Sequence, residues 1–107
     1  MKIQQYQVVI VNLDPTKGSE IKKTRPCVVI SPDEINKYLK TITIAPITSK
    51  SKSYPTRIEF SLKGQKRWIV IDQIRTIDKI RIHRKVATLS GNEVQKIKDI
   101  IKETFVD

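Results

Sequence analysis

The sequence is short of most side chains that carry chemistry by themselves. Across 107 residues there is one cysteine, Cys27, and one histidine, His83. A lone cysteine rules out an intramolecular disulfide and a thiolate metal cluster, and it suits a reducing compartment. A lone histidine excludes a His–His acid and base pair within one chain and argues against a His-ligated metal centre. Glycine occurs three times and proline five times, which excludes low-complexity and collagen-like chains. There is no Gly-rich phosphate loop and no Ser-centred nucleophile elbow. Aromatic residues are 6% of the chain, so its capacity to stack on bases is small. No apolar run approaches the ~20 residues of a membrane span, and residues 1–6 lack the apolar stretch of a signal peptide. The expectation is a chain that is neither exported nor anchored, housed in the cytoplasm.

Negative charge is scarce as well. Eleven Asp and Glu stand against 21 Lys and Arg, a formal +10. That surplus makes polyanions the leading class of partner, with RNA, DNA, an acidic protein and an anionic membrane all open. The alternative is a solvated basic surface that only keeps the chain soluble. Hydrophobic residues at 38% and charged residues at 30% fit a folded, soluble domain rather than a disordered chain. At this length one domain, residues 1–107, is expected, and folding should hide roughly 66% of the extended chain's surface.

Period-two patterning covers most of the chain. Residues 6–13, 27–31, 41–45, 57–62, 68–71 and 79–82 read as about six short strands. Breaker chemistry separates them at Asp14-Pro15, Gly18, Ser31-Pro32-Asp33, Tyr54-Pro55 and Lys63-Gly64. Closely spaced turns favour an antiparallel barrel or sandwich over a parallel sheet. One helical turn could fit at residues 33–39. In the last segment the period changes. Val94, Ile97, Ile100, Ile101 and Phe105 recur at three and four residues, with Lys96, Lys98, Asp99, Lys102 and Glu103 opposite. Ser90 and Glu93 form a capping-box signature, so a helix over residues 91–104 is expected to pack on the barrel.

Several features have plain readings. Cys27 lies in the apolar run Cys27-Val28-Val29-Ile30, where a buried structural thiol is expected. His83 among Arg81, Arg84 and Lys85 is expected at the surface, and Asp33-Glu34 at a helix start. Three segments are less bland. In the first, the polar stretch from Asn12 to Glu20 leads through Lys22-Lys23-Thr24 to Arg25-Pro26. Pro26 belongs at a strand start or edge and holds Arg25 extended, which projects a guanidinium from a stiff element. In the second, Ala45-Pro46-Ile47 ends abruptly in Thr48, Ser49, Lys50 and Lys52, although strand-end hydroxyls often serve only as turn caps. In the third, Asp72-Gln73-Ile74-Arg75-Thr76 emerges from the buried run at residues 68–71. Of the aromatics, Tyr54 is the candidate base-stacking platform and Trp68 a candidate for the core.

Taken in order, these segments resemble the MazF/PemK family of toxin endoribonucleases. The match rests on Asn12-Leu13-Asp14-Pro15 with Gly18-Ser19-Glu20, then Arg25-Pro26-Cys27-Val28-Val29-Ile30-Ser31-Pro32, then Ala45-Pro46-Ile47-Thr48-Ser49, then Asp72-Gln73-Ile74-Arg75-Thr76. Each piece is weak alone, but the order spans nearly the whole chain. The resemblance implies a mainly β fold, a small SH3-like or CcdB-like antiparallel barrel with a C-terminal helix. It also implies a homodimer that cuts single-stranded RNA at short motifs without a metal or other cofactor, restrained by an antitoxin with an acidic tail. By the same resemblance Arg25 and Thr48 match the family's catalytic arginine and threonine.

The chemistry agrees with that transfer. RNA carries its own nucleophile, so the protein must align the 2′-hydroxyl, stabilise a dianionic phosphorane and let the 5′-oxygen leave. Arg25 offers a fork of donors to the non-bridging oxygens. Arginine is a poor general acid, so its role is electrostatic. Glu20 is the nearest candidate base in the sequence, with RNA positioning or a salt bridge to a loop lysine as alternatives. Ser19, Glu20, Ser49, Lys50, Lys52, Gln73 and Arg75 are expected to contact RNA. Two rivals remain, a CcdB-like gyrase-directed toxin and a barrel that binds nucleic acid without cutting it.

Overall fold

The computed structural model describes residues 2–13 and 24–106. Among these residues seven strands and two α-helices follow in the order β1 Gln7–Asn12, β2 Thr24–Val29, α1 Asp33–Tyr38, β3 Thr41–Thr48, β4 Arg57–Leu62, β5 Gln65–Val70, β6 Arg75–Asp78, β7 Ile82–Thr88 and α2 Gly91–Ile101. All pairings are antiparallel, and the strands run β4-β5-β3-β2-β1-β7, with β6 also on β3. The result is the expected mainly β fold, a curled half-barrel with a C-terminal helix.

β3 makes the curl. Residues 41–44 pair with β6, while Ile47 and Thr48 pair with Ile69 and Trp68 of β5. Pro46, which has no N–H to give to a ladder, stands where β3 changes partner. The central strands are buried on both faces because alternate side chains feed two cores. Val8, Val28, Ala45 and Ile47 join Ile58, Phe60, Ile69 and Ile71 in one core. Val9, Val11, Cys27, Val29, Ile42 and Ile44 join Ile77 in the other. Helix α2 covers the first core with fully buried Ile97, flanked by Val94, Ile100 and Ile101.

The α2 capping box is formed. The Ser90 amide donates to Glu93 Oε1 at 2.9 Å and the Glu93 amide to Ser90 Oγ at 3.3 Å. The α-helix ends at Ile101 and continues as a π-turn over Lys102–Val106. The β4–β5 hairpin turns at Lys63-Gly64 with φ of 51° and 81°, both in the left-handed region that a type I′ turn requires.

Two strand expectations are corrected. Lys79–Arg81 is a 3₁₀ turn, not a strand. Asp78 caps it by accepting from the Ile80 amide at 2.9 Å, and strands lie on either side. The buried run at 68–71 is the end of β5, with Ile71 opening a 3₁₀ turn, Ile71–Gln73. Trp68 is half-buried and belongs to neither core, because it alternates with core residue Ile69 and shares the opposite face with its partners Thr48 and exposed Glu59. The helical turn at 33–39 forms as α1, with buried Asn36 bonded to Ser31. His83 is exposed on β7, as expected. Among the described residues no helix is long and apolar enough to cross a membrane.

Candidate active site

The β2–β3 ladder sets the geometry of the site. Val29 pairs with Ile44, Val28 with Ala45 and Cys27 with Pro46. By strand alternation Arg25 and Thr48, each two residues beyond the Cys27–Pro46 pair, fall on the same face as that pair. Arg25 is paired with Val11 of β1, so the β1–β2 ladder fixes its backbone. Arg75 enters the same face, because it pairs with Ile44 and Ile44 with Val29.

Two cavities meet at this strand end. One, of about 880 Å³, has Ile10, Pro26 and Ile47 on its floor and Lys63, Gln65 and Arg67 among its walls. The other, of about 430 Å³, is lined by Leu13, Pro46, Arg57, Gln73 and Arg75. Arg25, Thr48 and Lys50 line both. Since Pro26 and Arg25 are neighbours on one strand, the cavities open on opposite faces of the sheet, with Arg25 and Thr48 on the rim between them. Six cations, Arg25, Lys50, Arg57, Lys63, Arg67 and Arg75, line the pair, and among the described residues no carboxylate does. That lining suits phosphates.

Arg25 and Thr48 are half-buried, whereas Ser49, Lys50, Gln73 and Arg75 are exposed. The Thr48 hydroxyl donates to the Lys50 carbonyl at 3.2 Å and accepts from the Lys50 amide at 3.4 Å. It is therefore a turn cap held by long, weak bonds that a better acceptor can displace. Ser49 lines the larger cavity. Lys52 is exposed and lines neither. Ser19 and Glu20 lie outside the described residues. Cys27, fully buried behind the rim, is a structural thiol. Burial pushes it up to about 12, although the positive fields of Arg25 and Arg75 pull the other way. Among the described residues no three His, Cys, Asp or Glu side chains converge as metal ligands.

The sequence reading missed Arg57. Arg57 sits in a regular alternating strand and carries no motif. The one signal for it is that β4 would run beside the Asp72 segment. In the structure its Nε lies 3.5 Å from Asp72 Oδ1.

The chain matches, over residues 4–105, the family of PemK-like, MazF-like toxins of type II toxin-antitoxin systems. It belongs to that family. Similar solved folds include MazF from Deinococcus radiodurans, at 21% identity and TM-score 0.83, covering 100% of this chain and 99% of that one. MazF bound to MazE from the same organism gives 22% identity and TM-score 0.85, covering 96% and 95%. The Mycobacterium tuberculosis toxin MazF-mt6 gives 20% identity and TM-score 0.79, covering 94% and 96%. At these identities the likeness shows the PemK/MazF fold. The half-barrel, the position of β3 and the C-terminal helix described above are features of that fold in this chain.

Proposed function

We propose that this toxin is a sequence-specific, metal-independent endoribonuclease that cleaves single-stranded RNA by attack of a 2′-hydroxyl on the adjacent phosphorus. The observation that carries the reading is that Arg25 and Thr48 both line each of two adjoining cation-lined cavities.

RNA laid across that rim places one phosphate at Arg25 and Thr48 and a flanking nucleotide in each cavity. Arg25 donates to the non-bridging oxygens and stabilises the charge that develops as the 2′-oxygen adds. Thr48 exchanges its bonds to Lys50 for one to the phosphate or the attacking hydroxyl. The O2′–P bond forms as the P–O5′ bond breaks, leaving a 2′,3′-cyclic phosphate and a 5′-hydroxyl. Neither cavity holds an imidazole or carboxylate among the described residues, so the 2′-hydroxyl proton goes to water or to a group outside them, of which Glu20 is the candidate, and the departing O5′ takes a proton back from the same source. Ser49, Lys50, Gln73 and Arg75 face the flanking nucleotides, and Lys52, together with Ser19 and Glu20 outside the described residues, is a further candidate contact for the strand.

The cavities would also attract the acidic tail of a cognate antitoxin, and the Deinococcus relative crystallised with MazE is consistent with such a partner. Tail and RNA then compete for Arg25. The functional unit in this reading is a homodimer, with a mass in solution twice the 12.4 kDa of the chain. A cleavable RNA with a single 2′-deoxy nucleotide 5′ to the cut phosphate tests the mechanism. The substituted strand should stay intact at that position while the all-ribose strand is cut. Cleavage of both would exclude the 2′-hydroxyl as nucleophile.

A further inference from the structure

Residues 49–56 connect β3 to β4 without regular structure, yet one guanidinium fastens them. Arg57 Nη1 donates to Ser51 Oγ at 3.0 Å, and its Cζ lies 4.8 Å from the centroid of the Tyr54 ring. Its Nε pairs with Asp72 at 3.5 Å, and Asp72 Oδ1 also accepts from Thr56 Oγ1 at 2.8 Å. Backbone bonds close the segment, from the Tyr54 amide to the Lys52 carbonyl at 2.9 Å and from the Arg57 amide to the Tyr54 carbonyl at 3.1 Å. The Arg57 side chain is 20% exposed and lines the smaller cavity beside Gln73 and Arg75. Tyr54 remains 47% exposed. In a chain with six aromatic residues, this ring is the one tied to a residue of the cavity wall and still open to solvent.

We propose that Arg57, tethered by Asp72, is a positioning residue that holds the Tyr54 ring as a stacking platform for a nucleobase of the RNA strand. The inference rests on the ribonuclease reading above. The arrangement has a physical logic. A loop aromatic without support loses its ordering entropy each time a base binds, whereas a ring already seated on a guanidinium meets the base pre-ordered. Aromatic stacking accepts any base, so the platform adds hold on the strand while hydrogen bonds select the motif. Asp72 sits directly before Gln73, so the tether also fixes the turn that presents Gln73 and joins the two segments that flank the rim.

The test is single-turnover cleavage of end-labelled RNA across a range of RNA and salt concentrations. It compares the wild type with Tyr54→Ala, Tyr54→Phe, Arg57→Gln and the double variant Tyr54→Ala/Arg57→Gln, all checked for an intact thermal transition. Tyr54→Ala is expected to raise the half-saturating RNA concentration about tenfold, on the scale of one lost base stack, with the limiting rate within about twofold. Tyr54→Phe should restore it. Arg57→Gln should weaken binding by less than Tyr54→Ala and add nothing to it in the double variant. The salt slope of binding should be unchanged, in Tyr54→Ala because stacking releases no counterions and in Arg57→Gln because, among the described residues, Arg57 alone of the six cavity cations already has its charge paired, with Asp72. A salt slope lowered by about 0.7 in Arg57→Gln would make Arg57 a direct phosphate ligand and overturn the proposal. So would additive losses in the double variant, a fall in the limiting rate, or unchanged half-saturation in Tyr54→Ala. Failure of the wild type to cut any RNA would instead overturn the ribonuclease reading itself.

Discussion

The rim residues differ in what each loses on substitution. Arg25→Ala should lower the single-turnover cleavage rate by roughly a hundredfold or more, about 3 kcal/mol of transition-state stabilisation. Arg25→Lys should recover little of it, because an ammonium is a point charge without the guanidinium's fork. Thr48→Val removes the hydroxyl and Thr48→Ser keeps it, so rates measured for both report the hydroxyl alone. Cys27 behaves differently. Its thiol, raised to about 12 by burial, stays neutral in the fold, while in the unfolded chain it ionises near pH 8.5. The sign follows from that inequality. The contribution of Cys27 is full below about pH 8.5 and declines as pH rises towards 12. Denaturant titrations of the wild type and Cys27→Val should therefore show the difference shifting against the wild type across that range. Iodoacetamide at pH 8 should leave the native thiol unmodified.

The elements that were legible in the sequence were those whose signal is local. Helix α2 announces itself by its period and its Ser90–Glu93 box. Ser90→Ala should cost about 1 kcal/mol of stability by thermal or chemical denaturation. Gly64, at φ 81°, was legible as a turn, and Gly64→Ala should destabilise the hairpin by a comparable amount. Less legible were elements defined by tertiary pairing. β7 is mostly exposed and basic, with Val86 and Ala87 half-buried, so its sequence carries no strand alternation. It is a strand because β1 offers it a ladder with two register shifts. β6 was not read as a strand, and the 3₁₀ turn after it was read as one because Ile80, 86% exposed, mimics an alternating position. Arg25 and Thr48 were singled out through a motif, whereas Arg57 has meaning only through its tether. That tether has its own pH signature. Burial alone would raise the Asp72 carboxyl, but bonds from Thr56 and Arg57 outweigh it and hold it below the ordinary carboxylate value. The tether therefore contributes fully above about pH 4 and is lost as pH falls below that. Asp72→Asn should destabilise equally at pH 8 and pH 5, and the gap to the wild type should close in stronger acid.

At the scale of the molecule, a chain with a formal +10 gathers six cations around one strand end and places no carboxylate there among the described residues. The curl of β3 makes this possible by ending one strand between two cavities. Affinity for RNA should fall steeply with salt, and an acidic antitoxin tail should displace RNA rather than bind beside it. Simultaneous binding of both at full affinity would contradict a shared surface. The most direct measurement incubates end-labelled single-stranded RNA of varied sequence in EDTA with the purified wild type and with Arg25→Ala. Discrete cuts with cyclic-phosphate ends in the first and none in the second are the predicted result. Intact RNA with the wild type, or equal cleavage by both, would contradict the account.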